Sequence, residues 1–256
     1  MTSLDGKAAL RSRIRADRRL LDVETRRERA SRLAGVLASL LPCRGLAAYA
    51  PMPHEPDIVP LLQAAHRAGV PVWLPVARGR NALRWGRWDP DELDLLAPGT
   101  GSFGIAEPAE ASLNSQDLLH TVDVILIPAL ALSSGGLRLG QGGGYYDRSF
   151  GPQGEAPAIP PAAAGAGGPG AAATDVTASA RPAAEAADEA TGIGGGPDQK
   201  ATAPDRARWA HGGHPGRPLL AGVVYEEEVL PADSIPAAGH DLRVHAVATP
   251  AGLRCI

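Results

Sequence analysis

Residues 123–148 read DVILIPALALSSGGLRLGQGGGYYDR. Asp123 to Ile127 is expected as a strand: after Asp123 its residues are all apolar and mostly β-branched, the pattern of a strand buried on both faces in a parallel sheet. A glycine-rich stretch follows: Gly140, Gly142, Gly143 and Gly144 occupy four of five positions. Without a Cβ, such residues reach positive φ and leave their N–H groups bare, so successive amides can converge on one anion. The run leads into an expected helix at 143–150, whose N-terminus adds free donors. Arg138 and Arg148 bracket the loop with forked guanidinium donors. Asp147 offers a carboxylate of the kind Mg²⁺ takes alongside phosphate oxygens. No Gly-Lys-Ser/Thr ending marks a Walker A loop, and no clear acidic partner about 20 residues on marks a dinucleotide fingerprint. Strand, glycines, arginines and aspartate together predict a phosphate-binding loop.

The pattern spreads outward from there. Leu10, Ile14 and Leu21 are spaced for one apolar side of a helix over 5–20. Lys7, Arg11 and Arg15 share one face of it at i, i+4 and i+8, either as a solvated basic stripe or as an anion-binding face. A second helix is expected from Asp22 as N-cap to Pro42, and a third over Asp57–Ala68, ended by Gly69. Strands are expected at Gly45–Ala50, at Val70–Leu74 with Pro75 as its stop, at Leu83–Trp88, at Leu219–Tyr225 and at Val244–Ala248. Strands alternating with helices predict an α/β domain with a mainly parallel sheet, in which ligands bind at the carboxyl ends of the strands.

The chain has 256 residues and a net charge of −3, with 44% apolar and 21% charged residues. That composition suits a globular domain and argues against a tail-driven nucleic-acid binder, which would be strongly basic. There is no run of 18 apolar residues and no apolar leader after Met1, so a cytoplasmic protein without membrane contact is expected. Cys43 and Cys255 make neither a disulfide framework nor a zinc site. His54, His66, His120, His211 and His214 have no metal-ligand spacing. Residues 151–200 hold 33 Ala, Gly or Pro among 50, and no aromatic lies between Phe150 and Trp209. Such a segment buries too little surface to offset its ordering entropy. It is expected as a disordered insertion over 151–217, with a docking tail or lid as the functional alternative. The single domain is then 1–150 plus 218–256.

The block RLGQGGGYYDR at 138–148 resembles the signature of the 5-formyltetrahydrofolate cyclo-ligase (5,10-methenyltetrahydrofolate synthetase) family. The resemblance continues in Lys7-Ala-Ala-Leu-Arg11, in YAPMPHEPD at 49–57, in GVPVWLP, in Phe103-Gly-Ile-Ala-Glu107-Pro108, in DVILIPALAL, in Gly239-His240-Asp241 and in VATP near the end. It implies a single three-layer α/β domain of sugar-isomerase or Rossmann-like type. It also implies ATP-dependent conversion of 5-formyltetrahydrofolate to 5,10-methenyltetrahydrofolate, with Mg²⁺, releasing ADP and phosphate. The chemistry agrees with the residues. A formyl amide is a poor electrophile, and phosphorylating its oxygen lets the other folate nitrogen close the ring and expel phosphate. Phosphoryl transfer asks a protein mainly for positioning and charge neutralisation.

Residue by residue, the resemblance implies ATP contacts at Lys7, Arg11 and the loop Arg138, Leu139, Gly140, Gln141, Gly142, Gly143, Gly144, Tyr145 and Tyr146. Arg138 and Tyr146 are the catalytic pair, and Asp147 and Asp241 the magnesium carboxylates. Ala50, Glu55 and Phe103 contact substrate, Glu55 by accepting from the pterin's N–H donors. Phe103 and Tyr145 have a plain alternative as core aromatics. The chain departs from the family pattern at Ser133, Glu228 and His245. Expected partners are small molecules only, with no nucleic acid and a monomeric chain. Two other functions fit the loop less closely: a nucleotide- or folate-binding relative with little turnover, and an ATP-independent sugar-phosphate isomerase.

Overall fold

The computed structural model describes residues 3–95, 99, 101, 104–158 and 217–256. Phe103 and most of the expected insertion lie outside them. Five helices are described: α1 (Ser3–Leu20), α2 (Val23–Leu37), α3 (Val59–Arg67), α4 (Ser115–Thr121) and α5 (Tyr145–Phe150). The strands are β1 (Leu46–Ala47), β2 (Val72–Val76), β3 (Arg84–Arg87), β4 (Val124–Pro128), β5 (Ala131–Ser133), β6 (Arg138–Leu139), β7 (Leu219–Val223), β8 (Val229–Leu230), β9 (Ala246–Thr249) and β10 (Gly252–Cys255).

Seven strands form one sheet in the order β10-β9-β7-β4-β1-β2-β3. The five central strands run parallel, and β3 and β10 close the two edges antiparallel. Alternate residues of each strand serve different cores, as the period of two requires. Val124 and Leu126 of β4 join Leu33 and Leu37 of α2 and Leu61 and Leu62 of α3. Ile125 and Ile127 of the same strand join Leu118 of α4 and Phe150 of α5. Helices therefore cover both faces, and the domain has three layers with a mixed, mostly parallel sheet.

Local chemistry sets the ends of several elements. Asp22 caps α2 by accepting from the Thr25 N–H at 2.7 Å, and Gly69 at φ +72° follows the end of α3. The second expected helix stops short of Pro42, giving way to a 3-10 turn at Ala38–Leu40. Pro75 does not end β2, which runs through it to Val76. β1 pairs only as far as Trp73, so the missing N–H of Pro75 breaks no bond on that side. The strand expected over 45–50 pairs only at Leu46 and Ala47. The elements α4, β5, β6, β8 and β10 are additions to the sequence reading; most are too short for periodicity to register.

The first eight residues of the expected insertion, 151–158, are among those described. Residues 151–158 fold back on α5, with Glu155 N donating to Arg148 O at 2.8 Å and Ala156 N to Ser149 O at 2.8 Å. Arg217 Nη1 donates to the carbonyls of Pro157 at 2.6 Å and Ala158 at 3.3 Å. The described residues on either side of 159–216 are thus hydrogen-bonded to one another in one neck.

Beyond the carboxyl end of β4, the small sheet β6-β5-β8 makes a third apolar cluster with Ile14 of α1. Here α1 is also fastened by charge. Arg18, 3% exposed, donates to both oxygens of Glu228 at 2.6 and 2.7 Å and to Ala129 O at 2.7 Å. Glu228 in turn accepts from Tyr225 N at 2.8 Å. Among the described residues no helix is long and apolar enough to cross a membrane. Arg18→Met strands a buried carboxylate and is expected to cost about 3–5 kcal/mol. Adding Glu228→Gln should return most of it, as measured by urea unfolding of the two variants.

Candidate active site

A cavity of about 820 Å³ opens where α1, the glycine loop, the end of β1 and the 240–241 turn meet. Its walls include Lys7, Arg11, Ala50, Glu55, Asp241 and every residue from Arg138 to Asp147. All the described candidates from the sequence are thus brought together, although the chain separates the first from the last by 234 positions.

The loop is polarised. Arg11 Nε donates to Gly140 O at 2.9 Å, Arg15 Nη2 to Gln141 O at 2.9 Å, Arg148 Nη2 to Gly143 O at 2.9 Å, and Arg148 N to Gly144 O at 3.0 Å. Among the described residues, none of the amides from Gly140 to Gly144 donates to a protein acceptor. Four of the five carbonyls from Gly140 to Gly144 are capped and the N–H groups are left over, an arrangement that suits an anion. Two positions need glycine for conformation, Gly142 at φ +108° and Gly144 at φ +68°. At Gly140 and Gly143 space decides: a Cβ would come within 2.5 Å of Arg138 Nη1 and 3.0 Å of the Tyr145 ring. The helix expected at 143–150 is observed as α5 at Tyr145–Phe150, only six residues long, so the loop amides matter more than its N-terminus.

Cations surround the loop. Arg138 is buried, its Nε held by Pro128 O at 2.9 Å, and its guanidinium lies 4.8 Å from the centre of the Tyr146 ring. Burial and the neighbouring Arg15 lower the Arg11 pKa, while Asp241 and Asp147 oppose that shift. Lys7 lies against Asp241, at 2.7 and 2.6 Å from its two oxygens. Burial pushes the Tyr146 hydroxyl up despite Arg138, so it stays protonated near neutrality. Tyr145 lies partly in the core, with its hydroxyl on Gly79 O at 2.8 Å, and also lines the cavity.

Glu55 is 6% exposed. Its Oε1 accepts from Gln141 Nε2 at 3.1 Å and its Oε2 from Met52 N at 3.1 Å. Burial raises its pKa, and those two bonds oppose the shift. The glycine loop and the candidate substrate acid are therefore joined directly.

The donors for a divalent cation are modest. Asp147 Oδ1 accepts from Leu242 N at 3.0 Å, leaving its other oxygen without a partner among the described residues. Both oxygens of Asp241 are taken by Lys7, and one also by Ala238 N at 2.6 Å. No group of three or more His, Cys, Asp or Glu gathers among the described residues. One free carboxylate oxygen beside a phosphate cradle suits Mg²⁺, which keeps water and takes the rest from phosphate. The donor set would not make a closed metal cage.

Two departures from the family pattern have structural work here. Ser133 Oγ accepts from Leu137 N at 3.1 Å, and His245 Nδ1 accepts from Leu220 N at 3.1 Å. The sequence reading omitted some walls of the cavity. Arg15 was legible as the third member of the basic stripe, and Tyr49 as a neighbour of Ala50. Met52, Glu107 and His240 stood in the quoted motifs without an assigned role, and Gln153 enters only through tertiary packing.

The model of the 5-formyltetrahydrofolate cyclo-ligase family matches residues 3–164. The chain belongs to that family. It is 36% identical over 150 residues to the 5-formyltetrahydrofolate cyclo-ligase of Mycolicibacterium smegmatis, covering 56% of this chain and 74% of the relative. It is 31% identical over 144 residues to the Escherichia coli enzyme of the same name, covering 54% and 75%. In fold it is similar to the Aquifex aeolicus 5,10-methenyltetrahydrofolate synthetase, with a TM-score of 0.60 at 24% identity over 97% of this chain and 92% of the other. The corresponding Mycoplasma pneumoniae protein superposes with a TM-score of 0.51 at 13% identity, over 95% and 98%. Within this cyclo-ligase chain, the glycine loop and α1 fall inside the matched region.

Glu55 binds its proton more tightly folded than unfolded. Its contribution to stability is full below the ordinary carboxylate range and is lost as pH rises through the raised folded value. Glu55→Gln removes that loss. The stability of wild type relative to Glu55→Gln should therefore fall as pH rises out of the ordinary carboxylate range, as read from urea midpoints across a pH series.

Proposed function

We propose that this chain catalyses the ATP-dependent closure of 5-formyltetrahydrofolate to 5,10-methenyltetrahydrofolate, releasing ADP and phosphate. The observation that carries it is the Gln141–Glu55 hydrogen bond at 3.1 Å, which joins a cradle of undonated amides to a buried acid within one cavity. Phosphate donor and acceptor can then lie side by side, and such proximity supplies much of the barrier reduction in a two-substrate reaction.

In this reading the amides of Gly140 to Gly144 hold phosphate oxygens, while Lys7, Arg11 and Arg138 neutralise their charge. Leu139 and Tyr145 shape the cradle's walls. When bound, ATP supplies the phosphoryl group that activates the formyl oxygen, and Mg²⁺, held by Asp147 and by Asp241 once released from Lys7, neutralises the phosphates. Tyr146 keeps its proton and so donates a hydrogen bond toward charge developing on oxygen, with Arg138 behind it. Glu55 accepts from the donor edge of the pterin, and Ala50 leaves room for it; Phe103 remains a proposed substrate contact. No side chain acts as a nucleophile. The fold is of the sugar-isomerase or Rossmann-like kind, and the chain works as a cytoplasmic monomer on small molecules, without nucleic acid or membrane. Residues 1–158 and 217–256 make the catalytic domain, with the remainder an accessory insertion.

Mixing the protein with ATP, Mg²⁺ and 5-formyltetrahydrofolate should generate methenyl absorbance. Asp147→Asn keeps the acceptor for Leu242 N but removes the charge, and should lower kcat/KM by about 100-fold or more at unchanged thermal stability. ATP binding without product in wild type would instead favour a binding protein. Replacing 159–216 by a short Gly/Ser linker should leave the unfolding midpoint nearly unchanged, because the Arg217 neck already brings the ends together and long loops add little closure entropy.

A further inference from the structure

Arg15 grips Gln141 twice. Its Nη2 donates to the main-chain carbonyl at 2.9 Å, and its Nε donates to the side-chain Oε1 at 3.0 Å. The other end of the same amide, Nε2, donates to Glu55 Oε1 at 3.1 Å. We propose that Arg15 is a positioning residue: by holding the Gln141 side-chain carbonyl it turns the amide N–H toward Glu55 and keeps Glu55 a hydrogen-bond acceptor. Its bearing on substrate rests on the cyclo-ligase reading, in which Glu55 accepts from the pterin.

A side-chain amide has a donor end and an acceptor end, and the groups facing it decide which way it lies. A guanidinium only donates and keeps its charge at every working pH. Arg15 therefore admits only the amide oxygen, and Glu55 meets only N–H. Such a donor favours the carboxylate over the carboxylic acid. Met52 N, at 3.1 Å from the other carboxyl oxygen, acts in the same sense. An amide free to turn would also offer its oxygen, which accepts from a protonated Glu55. The basic stripe of α1 thus divides by its contacts. Lys7 goes to Asp241, Arg11 to Gly140, and Arg15 through Gln141 to Glu55.

Other groups face Glu55, and none makes this choice. Arg18 of α1, paired with Glu228, and Arg138 of β6 favour the carboxylate through space. Among the described residues neither bonds to it, since Arg18 is spent on Glu228 and Ala129 O, and Arg138 Nε on Pro128 O. Tyr49 and Tyr146 present hydroxyls that burial keeps protonated, and Tyr49 gives its own to Pro56 O at 2.7 Å. His54, next to Glu55 in the chain, is engaged by Arg26 Nη1 at 2.8 Å. Burial by itself favours the acid form of Glu55, so the acceptor depends on the donors aimed at it.

The test follows the Glu55 carboxyl carbon by NMR through a pH titration of the ligand-free protein, the resonance being the one lost in Glu55→Gln. Gln141→Leu removes the donor at unchanged charge and should raise the proton affinity of Glu55 by about threefold to tenfold. Arg15→Met should raise it too. Arg15→Lys, which keeps the charge and a donor for Oε1, should return most of that change. The double variant decides: in the Gln141→Leu background, Arg15→Met should add little. An equal rise in both backgrounds would show Arg15 acting by charge alone and would overturn the proposal, as would a titration that neither single variant moves. In turnover at saturating ATP, the acid limb of kcat/KM for 5-formyltetrahydrofolate should move to higher pH in Gln141→Leu and Arg15→Met. A raised KM for ATP with the acid limb in place would assign Arg15 to the nucleotide and overturn the proposal. Wild type without turnover would overturn the cyclo-ligase reading, while the titration would still decide the role of Arg15.

Discussion

The capped carbonyls of the glycine loop are the constraint on which the site depends. A peptide chain carries donors and acceptors in nearly equal number, so a loop favours anions when its amides converge and its acceptors point or bond elsewhere. Here three arginine side chains, Arg11, Arg15 and Arg148, take the carbonyls of Gly140, Gln141 and Gly143. Two of them come from α1, so the first helix is part of the loop's electrostatics as well as a wall of the cavity. The same guanidiniums retain further N–H groups, so the cradle and its positive field have one source.

That role demands that α1 be held in register, and the means are mostly charged. Lys7 meets Asp241 and Arg18 meets Glu228, both pairs largely out of water. Buried ion pairs are weak sources of stability, because desolvation offsets most of their attraction. Their value lies in geometry: a displaced helix would leave several buried charges unmatched. The Lys7–Asp241 pair also bears on the proposed working arrangement. Both groups are candidates for the nucleotide and its cation, so phosphate and metal would have to compete with the pair they form together.

Much of the fold was legible because its signals are local. The DVILI run, the Asp22 cap and Gly69 each describe their own few residues, and the elements stand close to where those signals put them. Pro75 misled because a missing N–H matters only if a neighbour needs it, and β1 is too short to reach it. The strands β5, β6 and β8 have two or three residues each, too few for any period to show. The neck at residues 151–158 was hidden by a composition of Ala, Gly and Pro, although Ala156 and Ala158 are small enough to pack against α5 and do so.

The site divides along the same line. Sequence alone determined which groups were on offer: a glycine run after a buried strand, a basic stripe at helical spacing, an acid at 55 and a His-Asp pair near the end. Each is a property of neighbouring residues, set by covalent spacing and the geometry of one element. Only the tertiary structure decided which faced one another, which carbonyls the arginines would silence, and that Gln141 would reach Glu55. Those are contacts between residues up to hundreds of positions apart, and they follow from how the layers pack, which no local pattern encodes.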